Sequence, residues 1–160
     1  MGNITVCRPN QVFKGTRYRI SVLSERLIRL EYNVDGVFVD QKTELVCERN
    51  FPQIDLKVTQ DSQFIHISTS YFSLTYKKEA SFKGPKYAPD ANLRVSLINS
   101  DKHWYYGHPE ARNFKGSAIS LDACGANTKL SNGLYSTDGF ASLDDSNSLR
   151  YDDDGYLYKP

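Results

Sequence analysis

Strict alternation of apolar and polar residues is the feature that most limits how this chain can fold. The stretch at 17–22 reads Arg-Tyr-Arg-Ile-Ser-Val, and the stretch at 27–32 reads Leu-Ile-Arg-Leu-Glu-Tyr. Residues 64–68, 71–76 and 93–98 follow the same pattern. Successive side chains of a strand point to opposite faces of a sheet. The pattern therefore predicts antiparallel sheets with one face on a core and the other toward water.

Turn residues separate these alternating stretches. Asp35-Gly36 lies between apolar stretches at 27–33 and 37–40, which predicts a hairpin. Short strands that recur about every 8–12 residues are typical of a sandwich or a barrel. No window of about 11 residues or more keeps a helical period, so we expect an all-β fold with little helix. Short strands are predicted at 133–135 and 140–143.

Charge and cysteine content limit the compartment and the partners. The 160 residues carry 20 Lys and Arg against 19 Asp and Glu, a net charge of +1, whereas nucleic-acid-binding proteins are normally basic. No apolar run approaches the ~18 residues of a transmembrane helix, and no secretory leader pattern opens the chain. Cys7, Cys47 and Cys124 are odd in number and widely spaced, which favours free thiols. We expect a cytoplasmic protein that binds neither nucleic acid nor membranes.

An aromatic run, Trp104, Tyr105 and Tyr106, is one candidate binding site. Aromatic rings offer flat apolar faces to a sugar ring or a base. An alternating strand would instead bury every second ring in the core, and both interpretations stay open here. His103 and His108 flank Trp104 and its neighbours, but a zinc site needs at least one more ligand, so no metal site is predicted.

Acidic residues near the end of the chain are a second candidate. Asp138, Asp144 and Asp145 are of the residue type that works in pairs in glycoside hydrolysis. Asp138-Gly139 is also ordinary turn chemistry, and the residues alone predict no catalytic role. Asp-Asp-Asp-Gly at 152–155 resembles the start of a calcium loop but lacks the Glu that closes one, which favours a turn.

Several segments, taken in chain order, carry a resemblance to one enzyme family. The first covers residues 18–32 and ends in Arg-Leu-Ile-Arg-Leu-Glu-Tyr. The others are Asp-Gly-Val-Phe-Val-Asp at 35–40, Arg-Asn-Phe-Pro at 49–52, Asn-Phe-Lys-Gly-Ser at 113–117 with Leu121-Asp122, Gly-Leu-Tyr-Ser-Thr-Asp-Gly-Phe at 133–140, and Leu-Asp-Asp-Ser at 143–146. In this order they resemble glycoside hydrolase family 31, the α-glucosidase and α-xylosidase family, over nearly the whole chain.

The resemblance implies a fold and a division of labour. Residues 1–160 would form a single N-terminal antiparallel β-sandwich of the galactose-mutarotase-like type, loop-rich from about residue 100, followed in the family by a catalytic (β/α)8 barrel. The family's nucleophile and general acid are Asp residues of that barrel, so no catalytic residue is expected here. The implied function is the non-catalytic domain of a retaining α-glycosidase, with no metal or organic cofactor.

The resemblance also implies where this domain meets its partners, the catalytic barrel and the α-glycoside. In the family the sandwich supports the barrel and lends a loop to the leaving-group side of the active site. Residues 136–140 match that loop best, and Asp138 is expected to accept hydrogen bonds from sugar hydroxyls. A barrel-facing surface left uncovered would be apolar and would promote self-association. The alternative is a free-standing carbohydrate-binding module that uses Trp104 and Tyr106.

Overall fold

The computed structural model describes residues 4–84, 91–110, 112–117, 122, 125 and 128–160. Leu121 and Cys124, which were named above, lie outside these ranges. The chain divides into two compact units. The first unit is Met1–Gly107 together with Asp145–Pro160, and the second is His108–Asp144.

The first unit is built from antiparallel strands. The strands are β1 Val12–Lys14, β2 Tyr18–Ser24, β3 Leu27–Tyr32, β4 Lys57–Gln60, β5 Phe64–Ser68, β6 Phe72–Lys77, β7 Leu93–Leu97, β8 His103–Tyr105, β9 Arg150–Tyr151 and β10 Leu157–Tyr158. A three-stranded sheet has the order β1-β2-β3, and a five-stranded sheet has the order β4-β5-β6-β7-β8, so within each sheet the strands follow one another in chain order. A two-stranded hairpin, β9-β10, lies near the C-terminus.

The two larger sheets contribute to one hydrophobic core. On β2 the alternation buries Tyr18, Ile20 and Val22 in a cluster that also holds alternate residues of β5, β6 and β7. Tyr18 and Tyr76, from different sheets, meet edge to face with ring centroids 4.9 Å apart. Both rings are buried, and such a pair stabilises the fold by about 0.5–1.5 kcal/mol beyond the contribution of the surface area that it buries. The core therefore lies between two sheet faces, as in a sandwich.

The alternation in the sequence thus predicted the fold class correctly. The structure is all-β and sandwich-like, its sheets are antiparallel, and they do not close into a barrel. The described residues contain no α-helix, only a short 3-10 turn at Pro9–Gln11. No described helix is of the length and apolarity needed to cross a bilayer. Cys7 and Cys47 are free thiols, as predicted.

Two local predictions were wrong. The turn at Asp35-Gly36 forms, with Gly36 at a φ of +71°, but residues 37–40 do not pair with β3 as a hairpin strand. Instead the Val39 carbonyl accepts hydrogen bonds from the guanidinium groups of Arg19 and Arg49. Residues 133–135 and 140–143 are not strands either, because the second unit is held by single bridges and side-chain hydrogen bonds rather than by ladders.

Candidate functional site

The outer face of the three-stranded sheet carries a cluster of charged residues. Strand register places Arg19 opposite Glu31, and Ser21 opposite Arg29. Tyr18, Ile20 and Val22 of β2 face the core, so the four side chains named above lie on the opposite face of the sheet. An outer sheet face is normally wet, yet Ser21 is buried. The N-terminal segment and residues 39–49 cover this face instead.

Arg19 is held by two carboxylates. Its Nε and Nη2 donate to the two oxygens of Glu31 at 2.7 and 2.9 Å, and its Nη1 donates to Asp40 Oδ1 at 2.6 Å. Such two-pronged pairs fix orientation as well as charge. Burial alone would lower the pKa of Arg19, but the hydrogen bonds and charges of Glu31 and Asp40 outweigh it and raise that pKa. Arg19 is therefore a permanent, fully engaged cation.

Arg29 is held by a residue far away in the chain. Its Nη1 donates to Asp145 Oδ2 at 2.7 Å, and the other oxygen of Asp145 accepts from the Thr43 hydroxyl at 2.7 Å. Burial alone would raise the pKa of Asp145, but the hydrogen bonds from Thr43, Arg29 and Ser148 lower it overall. The pair fastens the C-terminal segment of the first unit to β3.

Arg49 completes the cluster and is its most deeply buried cation, with a side chain only 3% exposed. Its Nη1 and Nη2 donate to the carbonyls of Val39 and Gln41 at 2.8 and 3.2 Å. Asp40 Oδ1 lies 3.8 Å from Nη1. Burial, followed by the positive charge of Arg29, lowers the pKa of Arg49. Arg49 thus has weaker charge compensation than Arg19.

A cavity of about 300 Å³ borders this cluster. Arg19, Arg49 and Asp40 supply its charged lining, Ser21 a hydroxyl, and Cys7 a thiol. The Cys7 thiol is a poor nucleophile here, because burial raises its pKa. The arrangement suits binding of a small charged group rather than covalent chemistry.

Asp138, the residue predicted to bind sugar, lies in the second unit in a tight turn. The Gly139 amide donates to the Ser136 carbonyl at 3.4 Å, and the Asp138 amide donates to the Ser136 hydroxyl at 3.0 Å. Gly139 has a φ of +79°, which suits glycine at this position. The buried carboxylate of Asp138 lies 3.6 Å from Nη1 of Arg112. The turn predicted at Asp138-Gly139 is confirmed, and the sugar contact stays a prediction.

Trp104 and Tyr106, the other predicted binding residues, lie in the first unit and differ in exposure. Trp104 is on the edge strand β8, where it pairs with Val95 and packs against the hydrophobic core. Tyr106 follows the strand and is 50% exposed, with its ring 6.1 Å from that of Phe82. Part of the Trp104 side chain is therefore buried against the core. A sugar platform at these residues stays a prediction.

A buried carboxylate, Glu110, organises the second unit and was not singled out in the sequence. Its Oε1 accepts from the hydroxyl of Ser142 and, at 3.1 Å, from the amide of the same residue. Its Oε2 lies 3.4 Å from the side-chain amides of Asn113 and Asn132. Asn113 in turn exchanges two hydrogen bonds with the Gly133 backbone, at 2.9 and 2.8 Å. These contacts give a loop-rich segment a fixed geometry without a sheet.

Sequence reasoning named Arg49 only as part of the segment 49–52, and it gave neither Arg49 nor Glu110 its structural role, because neither lies in an alternating strand. The charged face of β2 and β3 did carry a signal, since Arg19, Arg29 and Glu31 recur at every second position. Among the residues that the structure describes, no three His, Cys, Asp or Glu side chains gather as a metal site requires.

Comparison with known proteins leaves the class of this chain open. No protein-family model matches the sequence, and no curated protein matches it significantly.

Proposed function

We propose that this chain is the non-catalytic N-terminal β-sandwich, of the galactose-mutarotase-like type, of a retaining α-glycosidase resembling glycoside hydrolase family 31. The supporting observation is that charged side chains from several of the segments that carry the resemblance contact one another in the fold. Arg29 and Glu31 belong to the first segment, Asp40 to the second, Arg49 to the third and Asp145 to the last. Arg19 of the first segment pairs with both Glu31 and Asp40, and so joins all five in one network of ion pairs.

The network bears on the proposal because chance similarity gives no reason for contacts between segments. Arg29 and Asp145 are 116 positions apart, yet their side chains make a 2.7 Å hydrogen bond. The remaining quoted segments also pair with each other within the second unit, where Asn113 bridges Ser136. Motifs whose charged residues pair across such distances behave as one structural unit. This favours a shared sandwich over scattered coincidences.

The proposed role follows from what the sandwich offers chemically. In a retaining glycosidase, two carboxyl groups about 5–5.5 Å apart act as nucleophile and as general acid and base. We assign both to a catalytic barrel outside residues 1–160. Asp138 in its turn would accept hydrogen bonds from hydroxyls of the leaving-group sugar. The domain would thus support and border the active site without carrying out the reaction.

The experiment is a hydrolysis assay on the purified 160-residue chain with p-nitrophenyl α-glucoside and α-xyloside. We expect no turnover above a heat-treated sample. Turnover that disappears in Asp138→Asn or Asp144→Asn would contradict the proposal, because it would place a catalytic acid within this chain. Asp153→Asn, which alters an exposed carboxylate, is the matched control.

A further inference from the structure

The cavity on the outer face of the three-stranded sheet has no part in the proposed function. We propose that it binds a small oxyanion of the class of inorganic phosphate or sulfate, with the guanidinium group of Arg49 as its cationic side. The inference rests on the charges around the cavity and does not depend on the assignment to a glycosidase.

The first argument is the balance of charge around the cavity. Asp40 is the single acidic residue of the lining, all of which the structure describes. Its Oδ1 is already bound by Arg19 Nη1 at 2.6 Å, and it lies 3.8 Å from Arg49 Nη1. Within the described residues no other carboxylate lies within 4 Å of the Arg49 guanidinium. Arg49 therefore shares a counter-ion that a better-placed cation holds.

The second argument is that the buried guanidinium of Arg49 is incompletely satisfied. Its side chain is 97% removed from solvent, and in the described part of the chain its Nε–H has no acceptor. Buried cations are costly unless they are paired and hydrogen-bonded. Burial and the nearby charges of Arg29 and Arg19 also lower the pKa of Arg49, so the charged form is disfavoured there. A bound anion would compensate this charge.

The third argument is the size and chemistry of the space. A volume of about 300 Å³ is at the small end of ligand pockets and is ample for a tetrahedral oxyanion. The Ser21 hydroxyl adds a neutral donor to the Arg49 guanidinium, while Val6 and Val12 supply an apolar wall. Guanidinium groups match the planar edges and oxygen spacing of oxyanions better than ammonium groups do. The lining thus favours a compact ion with several oxygen atoms.

The test is a titration of the full chain with sodium phosphate, against sodium chloride at matched ionic strength. The Nε–Hε signal of Arg49 in a ¹H–¹⁵N spectrum should shift saturably with phosphate and not with chloride, and phosphate should raise the melting temperature. Arg49→Met should weaken phosphate binding about tenfold or more. The matched control Arg26→Met removes an exposed arginine outside the lining and should leave binding unchanged.

A second variant keeps the test decisive if Arg49→Met does not fold. Asp40→Asn removes the carboxylate that competes for the Arg49 guanidinium, so phosphate should bind about fivefold more tightly. The proposal is overturned by equal shifts with phosphate and chloride, by no saturable shift of Arg49, or by unchanged affinity in Asp40→Asn. Sulfate is expected to follow phosphate, since the two ions share their oxygen geometry.

Discussion

Replacing Asp145 with asparagine should destabilise the first unit by removing the charge that neutralises Arg29. Both side chains are largely buried, 12% and 16% exposed, so solvent screens the pair only in part. Stranding one partner of a fully buried pair costs about 3–5 kcal/mol. Glu31 still lies 3.5 Å from Arg29, and the asparagine oxygen still accepts one hydrogen bond. We therefore expect a loss of about 2 kcal/mol, near the value for a charge-assisted hydrogen bond.

The assay is thermal unfolding of wild type, Asp145→Asn and the matched control Asp153→Asn, in which an exposed carboxylate is lost. For a chain of this length, 2 kcal/mol corresponds to a fall of about 4–8 °C in melting temperature. Asp153→Asn should change it by less than about 2 °C, as expected for a surface substitution. Equal melting temperatures for all three proteins would refute the assignment of Asp145 as the counter-ion that fastens the C-terminal segment.

The pH dependence of the same pair has a definite sign. The pKa of Asp145 is lowered from its ordinary value of 3.8 by Thr43, Arg29 and Ser148 acting against burial. A carboxyl with a depressed pKa in the folded state stabilises the fold above its unfolded pKa and loses that contribution as pH falls. The stability gap between wild type and Asp145→Asn should therefore be complete near neutral pH and shrink below about pH 4.

Three further substitutions test the packing described above. Tyr76→Phe removes the hydroxyl that donates to the Ala80 carbonyl at 2.6 Å, and it should cost about 1 kcal/mol in urea denaturation. Glu110→Ala removes the acceptor of the Ser142 amide, so hydrogen exchange there should accelerate about tenfold, and unchanged exchange would argue against the buried carboxylate as organiser. Trp104→Ala should lower the free energy of unfolding by about 2 kcal/mol, because the side chain loses its contact with the core. Titration calorimetry with maltose should detect no binding by wild type or by the variant. Maltose binding by wild type would instead favour a carbohydrate-binding module.

The strands could be predicted because their signal is local. The alternation within each stretch determines which of its side chains face the core. Within each sheet, strands that follow one another in the chain also pair with each other. Tyr18, Ile20 and Val22 all lie in the core as the pattern required. A fold of sequential antiparallel strands is therefore readable without knowledge of distant contacts.

The hairpin predicted after Asp35-Gly36 does not form, and two arginine side chains bind the backbone there instead. Pairing with β3 needs free carbonyls at 37–40, but Val39 accepts hydrogen bonds from Arg19 and Arg49. Hydrogen bonds to charged donors are stronger than those to an amide. The Asp-Gly pair predicts the bend but carries no information on the path of the chain after it.

The candidate site was hidden from the sequence for a related reason. Arg29 and Asp145 are 116 positions apart, and the residues around each of them do not indicate that the two side chains pair. The weak charge compensation of Arg49 emerges only when Arg49 is placed beside Arg19 and the carboxylate that the two share.

The proposed function is tested most directly by the coding sequence that follows the codon for Pro160. A glycosidase scaffold predicts that translation continues into alternating strands and helices of a (β/α)8 barrel, with an Asp at the end of a barrel strand as nucleophile. Expression of that longer protein should then give hydrolysis of α-glycosides with retention at the anomeric carbon. A stop codon at that position, or a continuation without a barrel, would contradict the proposal.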